Sequence, residues 1–561
     1  MIAPDLILTN AKIVTADREF TIAEALAVSR GVIVAVGARA EVEALAGAGT
    51  KTVDLHGKCV VPGQIDSYQH FITAGIDMIG DRGAVELITK TSIDEILSAI
   101  KSRVDSTPAG QWVEAGCMYR GALTDGRWPN RWDLDQIAPD HPVYIRQGGR
   151  PIIANSHALR LAGIGRDTPD PIGPEGIIGR DADGEPTGQL IGGAADLARE
   201  RWSQLVGGPA WEWDFLHFDR EALVDAALAQ QRVNLACGIT TVRDDATYPA
   251  EIRAWVEARR RGLLRNRLGV LVAVPERHLW AKEDRDRFFG SYFEPWEMGG
   301  DLLWIAGVSI GYNLEGWMQI DEPRLREMIL ESVARGWTVA IPPSIGVSES
   351  VGEVLSILET AAEADPAGFV ERRHTLTHPH GLRRPEDIER AKKLGLMVNP
   401  NPLLSYYAAE RSLRMHRQIE ATGFHQGIVP DAWEQAVGMW APRTRDWFEA
   451  SLVVSGGSNI PAATYDPERP FLGQYSALTN GTLAGVLLPD QAITREQMVR
   501  MYTSNAAYAL MREDRIGSLE PGKYADLAVL DRDVLTCPDG EIAELKVLET
   551  YFEGELAHER G

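Results

Sequence analysis

Three imidazoles at the ends of short apolar runs are the side chains of this sequence best suited to chemistry. His70 closes Val61-Pro62-Gly63-Gln64-Ile65-Asp66-Ser67-Tyr68-Gln69-His70, and His378 and His380 close Leu376-Thr377-His378-Pro379-His380. Imidazole changes charge near neutral pH, so it can act as a general acid or base, and its nitrogens also bind metals. Catalytic zinc usually takes three protein ligands, which two imidazoles do not supply. A histidine at a strand end can equally be a hydrogen-bonded core residue, and one in a loop, as His380 reads, is more often no ligand at all. Asp244 and Asp245 end another apolar run, where they either face the same side or cap the next helix. The cysteines Cys59, Cys117, Cys237 and Cys537 have no Cys-x-x-Cys spacing, which disfavours a zinc ribbon or a disulfide framework.

The elements that must position these residues alternate strand and helix. Gly238-Ile239-Thr240-Thr241-Val242-Arg243-Asp244 reads as a strand, and Trp337 to Ile341 follows a helical stretch from Glu322 to Arg335. Arg373 to His378 precedes a helical stretch from Pro385 to Leu394, and Leu396 to Asn399 begins a further strand. Repeated units of this kind predict a parallel sheet, and the length suits a closed barrel. Residues 75–215 fit the repeat poorly and read as an insertion. Both termini are rich in β-branched residues with Gly and Asn turn signals, as in Leu6-Ile7-Leu8-Thr9-Asn10 and Ala525-Asp526-Leu527-Ala528-Val529-Leu530, so they can pair into one small sheet domain.

The bulk numbers narrow the partners. The chain has 561 residues, 44% hydrophobic and 24% charged, and a net charge of −23. That composition is ordinary for a soluble globular enzyme, and the acidic balance disfavours nucleic acid and anionic membranes. No basic, apolar leader stands at the N-terminus and no apolar run is long enough to span a bilayer, so a cytoplasmic location with reduced thiols is expected.

Motifs along nearly the whole length carry a family resemblance. They are Leu8-Thr9-Asn10-Ala11-Lys12-Ile13, Val61-Pro62-Gly63, Asp133-Leu134-Asp135, Asn155-Ser156-His157-Ala158-Leu159, Asp183-Gly184-Glu185-Pro186-Thr187-Gly188, Thr503-Ser504-Asn505-Ala506-Ala507 and Gly517-Ser518-Leu519-Glu520-Pro521-Gly522-Lys523. In order and spacing the chain resembles the amidohydrolase superfamily, in the family 3 branch that holds YtcJ-like proteins and N-substituted formamide deformylase. The resemblance implies an α/β fold: a (β/α)8 TIM-like barrel over 62–514 with an insertion around 75–215, and a β-sandwich built from 1–61 and 515–561. It also implies a small-molecule substrate and, from the habit of relatives, a homodimer.

Against the family pattern the metal motif is degraded. The first strand normally ends in Asp-x-His-x-His, and here the first of those histidines is Tyr68, followed by His70. A phenol with a pKa of about 10 stays protonated and is a poor ligand. The lysine that relatives carboxylate to bridge metals falls near Leu303-Trp304-Ile305, where Trp304 takes its place; Pro342-Pro343 stands where another histidine is expected. His378 is retained, and the aspartate of the last strand is Asn459 in Gly457-Ser458-Asn459-Ile460-Pro461. Asp66 is expected to fix the first strand rather than to react.

Three readings follow. In the first, a metal-independent hydrolase or lyase uses His70 or His378 as acid–base, with Tyr68 and Asn459 donating hydrogen bonds to a carbonyl oxygen. Arg150, Trp304, Asn401 and His380 then line the substrate, a small and by its many tryptophans aromatic carbonyl compound. In the second, a single divalent metal such as zinc sits on His70, His378 and a carboxylate or His380, and the enzyme hydrolyses C–N bonds. In the third, the chain is an inactive ligand-binding homologue.

Overall fold

The computed structural model describes residues 3–87, 89–116, 123–146, 152–171, 176–207, 213–216, 218–274, 282–290, 300–311, 322–343, 348–410, 440–461, 463 and 465–561. Eight strands form one parallel sheet: β1 (Gln64–Gln69), β2 (Ile239–Thr247), β3 (Arg267–Ala273), β4 (Leu303–Ser309), β5 (Val339–Ile341), β6 (Thr375–Thr377), β7 (Met397–Asn399) and β8 (Val453–Val454). They are bonded in chain order, with Asp66 opposite Val242 and Ala340 opposite Thr375. The sheet then closes on itself: the Ser67 N–H donates to the Gly456 carbonyl at 2.9 Å, and the Ser458 N–H to the Tyr68 carbonyl at 3.2 Å. The result is the eight-stranded α/β barrel that the alternating pattern predicts.

Helices between the strands wrap the outside, because each strand buries both faces and leaves the helices to meet water. Helix Arg220–Ala236 leads into β2 through Gly238, whose φ of +75° glycine adopts without strain, and an added Cβ would stand 3.0 Å from the Ala528 Cβ. Helix Pro385–Lys393 carries β6 to β7. It starts on proline, has Glu386 and Asp387 in its first turn and Arg390, Lys392 and Lys393 in its last, charges that complement the helix dipole. Phe71 packs edge-on against Trp255 at 4.6 Å between the helical layer and the barrel wall.

Two further bodies flank the barrel. Strands Lys12–Val14, Ile22–Ala23 and Cys59–Pro62 share a six-stranded sheet with Leu527–Leu530, Val547–Phe552 and Glu555–Glu559 from the far end of the chain. A four-stranded sheet of Leu6–Thr9, Ala25–Ser29, Val32–Gly37 and Lys51–Asp54 completes the sandwich. Leu8, Ile13, Leu26, Val60, Leu527 and Tyr551 are buried in one cluster within it. Arg267 at the start of β3 fastens sandwich to barrel through Asp526 at 2.7 Å and stacks over the Tyr524 ring at 3.7 Å. Between β1 and β2 lies a five-stranded sheet of Val113–Ala115, Val143–Arg146, Ile152–Ala154, Ile177–Arg180 and Pro186–Ile191. No helix among the described residues is long and apolar enough to cross a membrane.

Candidate active site

The C-terminal ends of β1, β2, β4 and β6, with the turns after β7 and β8, converge at one mouth of the barrel. Tyr68 stands between the two histidines, its ring edge-on to His70 at 5.4 Å and to His378 at 4.8 Å. Its hydroxyl makes no hydrogen bond among the described residues, and burial, then the nearby Asp245 carboxylate, keep it protonated far above neutral pH. A protonated phenol with an unused O–H is a hydrogen-bond donor in waiting.

His70 is partly exposed, and its Nδ1 lies 2.9 Å from the backbone carbonyl of Asp245. A carbonyl only accepts, so Nδ1 carries the hydrogen and Nε2 keeps its lone pair. The backbone of β2 thereby fixes the tautomer that leaves a base at the mouth.

His378 is fully buried. Burial holds it well below the ordinary imidazole range, helped by His380 and His70, so it is neutral at pH 7. Its Nδ1 lies 3.0 Å from the Asn401 amide and its Nε2 3.3 Å from the Asn459 amide. A neutral imidazole has one N–H and one lone pair, so one amide turns its oxygen to the ring. Both contacts are made by amide nitrogens, that of Asn401 also lying 3.3 Å from Nε2, and the Asn401 oxygen is buried with no partner among the described residues; exchanging the Asn401 nitrogen and oxygen gives the Nδ1–H an acceptor and leaves Nε2 to accept from Asn459. That bond uses one of the two amide hydrogens of Asn459.

The turns that bring these groups together are sequence-specific. His378, Asn401 and Asn459 have φ of 52°, 49° and 57°, the left-handed region that asparagine tolerates better than most residues. Gly457 passes so close to Asn401 that a Cβ would collide with the amide, and would stand 2.7 Å from the Tyr68 Cβ. Beneath the turn, Asp66 accepts from the Ser458 hydroxyl at 2.6 Å, the Ser458 N–H at 3.0 Å, the Tyr68 N–H at 3.1 Å, Gln69 at 3.0 Å and the Tyr465 hydroxyl at 2.8 Å. Burial pushes its carboxyl up to about 6 although these donors pull it down. Asp66 is thus a clamp between β1 and the turn after β8.

Other expected residues part company with the mouth. Trp304 is the second residue of β4, at its N-terminal end, so it lies on the barrel floor against Ile65, Ala506, Leu510 and Ile516. The strand runs toward the mouth and ends in Ser309, so the residue beside the site is the serine and the substrate-lining expectation for Trp304 is corrected. His380 turns aside, with Nε2 3.0 Å from the Ser405 hydroxyl, and burial pushes it down to about 3. Arg150 lies outside the described residues. Reading by type alone underrated Asp245: its Oδ1 accepts from the Ser309 hydroxyl at 2.7 Å inside the barrel. Asp244 faces outward and accepts from the Phe71 N–H and the Trp255 indole. Strand alternation after Val242 was the signal that separates them.

Among the described residues the donor set does not fit a catalytic zinc: His378 presents both ring nitrogens to amides, Tyr68 stands between the imidazoles, and no group of three or more His, Cys, Asp or Glu is placed to hold an ion.

Comparison with known proteins agrees with this architecture. The sequence pattern of the amidohydrolase family matches residues 51–558. N-substituted formamide deformylase of Arthrobacter pascens is 29% identical over 99% of this chain and 98% of its own length. YtcJ of Bacillus subtilis (strain 168) is 25% identical over 96% of each chain. Among solved structures, a metal-dependent hydrolase from Pyrococcus horikoshii superposes with a TM-score of 0.66 at 21% identity, over 95% of this chain and 99% of that one.

Proposed function

The chain belongs to the amidohydrolase family and is a hydrolase, and from that premise we propose that it cleaves the C–N bond of a small non-peptide amide by acid–base chemistry without a catalytic metal. The observation that carries this reading is the pairing of a tautomer-fixed His70 with Tyr68, the His70 Nε2 and the Tyr68 hydroxyl making no hydrogen bond among the described residues. A base and a neutral donor side by side are what water attack on an amide requires.

In this scheme His70 Nε2 takes a proton from water as the water oxygen bonds to the acyl carbon. The carbonyl oxygen becomes an oxyanion and is met by the Tyr68 O–H and the second hydrogen of the Asn459 amide. Collapse of this adduct breaks the C–N bond, and the proton on His70 passes to the departing nitrogen. The products are a carboxylic acid and an amine, and His70 is regenerated. His378 stays neutral throughout and acts by positioning Asn459. The substrate class that suits it is an N-acyl or N-formyl amine, by likeness to the deformylase.

The test is hydrolysis of a panel of N-formyl and N-acetyl arylamines by protein purified without added metal, with metal content and chelator sensitivity measured on the same sample. Turnover that is indifferent to chelator and to metal content is expected. Activity that rises in proportion to bound zinc, iron or manganese overturns the metal-free scheme.

A further inference from the structure

Below the mouth, the inward face of β2 carries polar atoms that the scheme above does not use. Thr241, Arg243 and Asp245 alternate along it, while Asp244 points out to Trp255. In a ring of eight, β6 lies opposite β2, and Arg243 crosses between them: its Nη1–H donates to the Thr375 hydroxyl at 3.2 Å. Arg243 is 2% exposed, and among the described residues its Nε–H and Nη2–H have no hydrogen-bond partner. Thr241 Oγ1, Asp245 Oδ2 and Thr377 Oγ1, all buried, have none either.

The two unmet hydrogens are not scattered. Nε–H and Nη2–H share one edge of the guanidinium and run parallel, the arrangement that meets both oxygens of a carboxylate. The nearest protein carboxylate does not take that edge. The Ser309 hydroxyl draws Asp245 Oδ1 toward β4; Asp245 and Arg243 attract each other within the lumen, but among the described residues no hydrogen bond joins Asp245 Oδ2 to the Arg243 Nε–H or Nη2–H. An apolar side chain would fill the lumen at lower cost than a buried cation with two idle donors.

We propose that the open edge of Arg243 binds a short carboxylate, the acid released when the acyl C–N bond is cleaved. The source of that carboxylate rests on the hydrolysis reading; the binding itself does not. The enclosure of the guanidinium favours the smallest acids, formate and acetate, over benzoate.

Calorimetric titration of the purified protein with sodium formate, acetate and benzoate, against sodium chloride at matched ionic strength, tests this. Saturable binding of formate or acetate at one site per chain is expected, unchanged in His70→Gln, where turnover is lost. Arg243→Gln should weaken it by about tenfold or more, and so should Arg243→Lys, which keeps the charge but lacks the fork. Absence of saturable binding by the unaltered protein overturns the proposal. So does full-strength binding by Arg243→Lys, a readout that stands even where Arg243→Gln fails to fold. Carboxylate binding without amide hydrolysis would refute the reaction and leave the anion site.

Discussion

On the floor of the barrel, Trp304 is packed by Ile65, Leu510 and Ile516 with Arg512 stacked 4.5 Å over its ring; at the mouth, Tyr68 is equally enclosed, but its hydroxyl makes no hydrogen bond among the described residues and stands beside two imidazoles. Both are large aromatic side chains on barrel strands. One lies among apolar side chains beneath the Arg512 guanidinium, its indole N–H unpaired among the described residues and far from any imidazole, and contributes burial. The other is framed by His70, His378, Asn401 and Asn459, groups whose hydrogen-bonding capacity is only partly used. The contrast shows that strand polarity, rather than residue type, separates stability from chemistry in this fold.

The sharpest way to break this contrast is His70→Gln. It should lower kcat/KM by about 10²–10⁴-fold, the usual range for a general base, with little change in the urea midpoint. Trp304→Ala should do the reverse. A loss of about 3–5 kcal/mol of stability is expected from removing a buried tryptophan, with kcat retained in the protein that stays folded. Tyr68→Phe keeps the ring and deletes the donor; a fall of about 10²-fold in kcat, with KM nearly unchanged, would mark a bond made in the transition state. A fall confined to stability would reduce Tyr68 to a space-filler like Trp304.

The smallest effect concerns the two ends of β6. His374, just before the strand, accepts from the Val339 N–H at 3.1 Å, and burial pushes it down to about 3. A depressed imidazole stabilises the fold above its unfolded value, and that stability drains away as pH falls from about 6.5 toward 3. The slope is about 1.4 kcal/mol per pH unit for each such group. Replacing His374 by Asn, which keeps an acceptor near Nδ1, should flatten urea-derived stability between pH 6 and 5 by about that slope, with no change in the activity profile.

Much of the architecture was legible in the chain. Gly-bounded apolar runs such as Gly238 to Asp244 and the capped stretch Pro385 to Leu394 mark strand and helix because their periods and end residues are local properties. Trp304 shows the limit: matching by motif put it at the site, while the length of β4 carries the site-facing position on to Ser309. Asp244 and Asp245 look alike in sequence, and only the alternation of β2 inside a closed ring sends one outward and one to the lumen.

Residue types therefore determined the barrel, the terminal sandwich and the replacement of ligand side chains by Tyr68 and Asn459, since these depend on local period and identity. The tertiary structure decided which groups meet. The free Nε2 of His70 depends on a carbonyl on β2, the neutrality of His378 on burial from all sides, and the open edge of Arg243 on a threonine across the lumen and a serine on β4. Tautomer, charge state and unmet valence are set by contacts between strands far apart in sequence, and such contacts exist only once the sheet has closed.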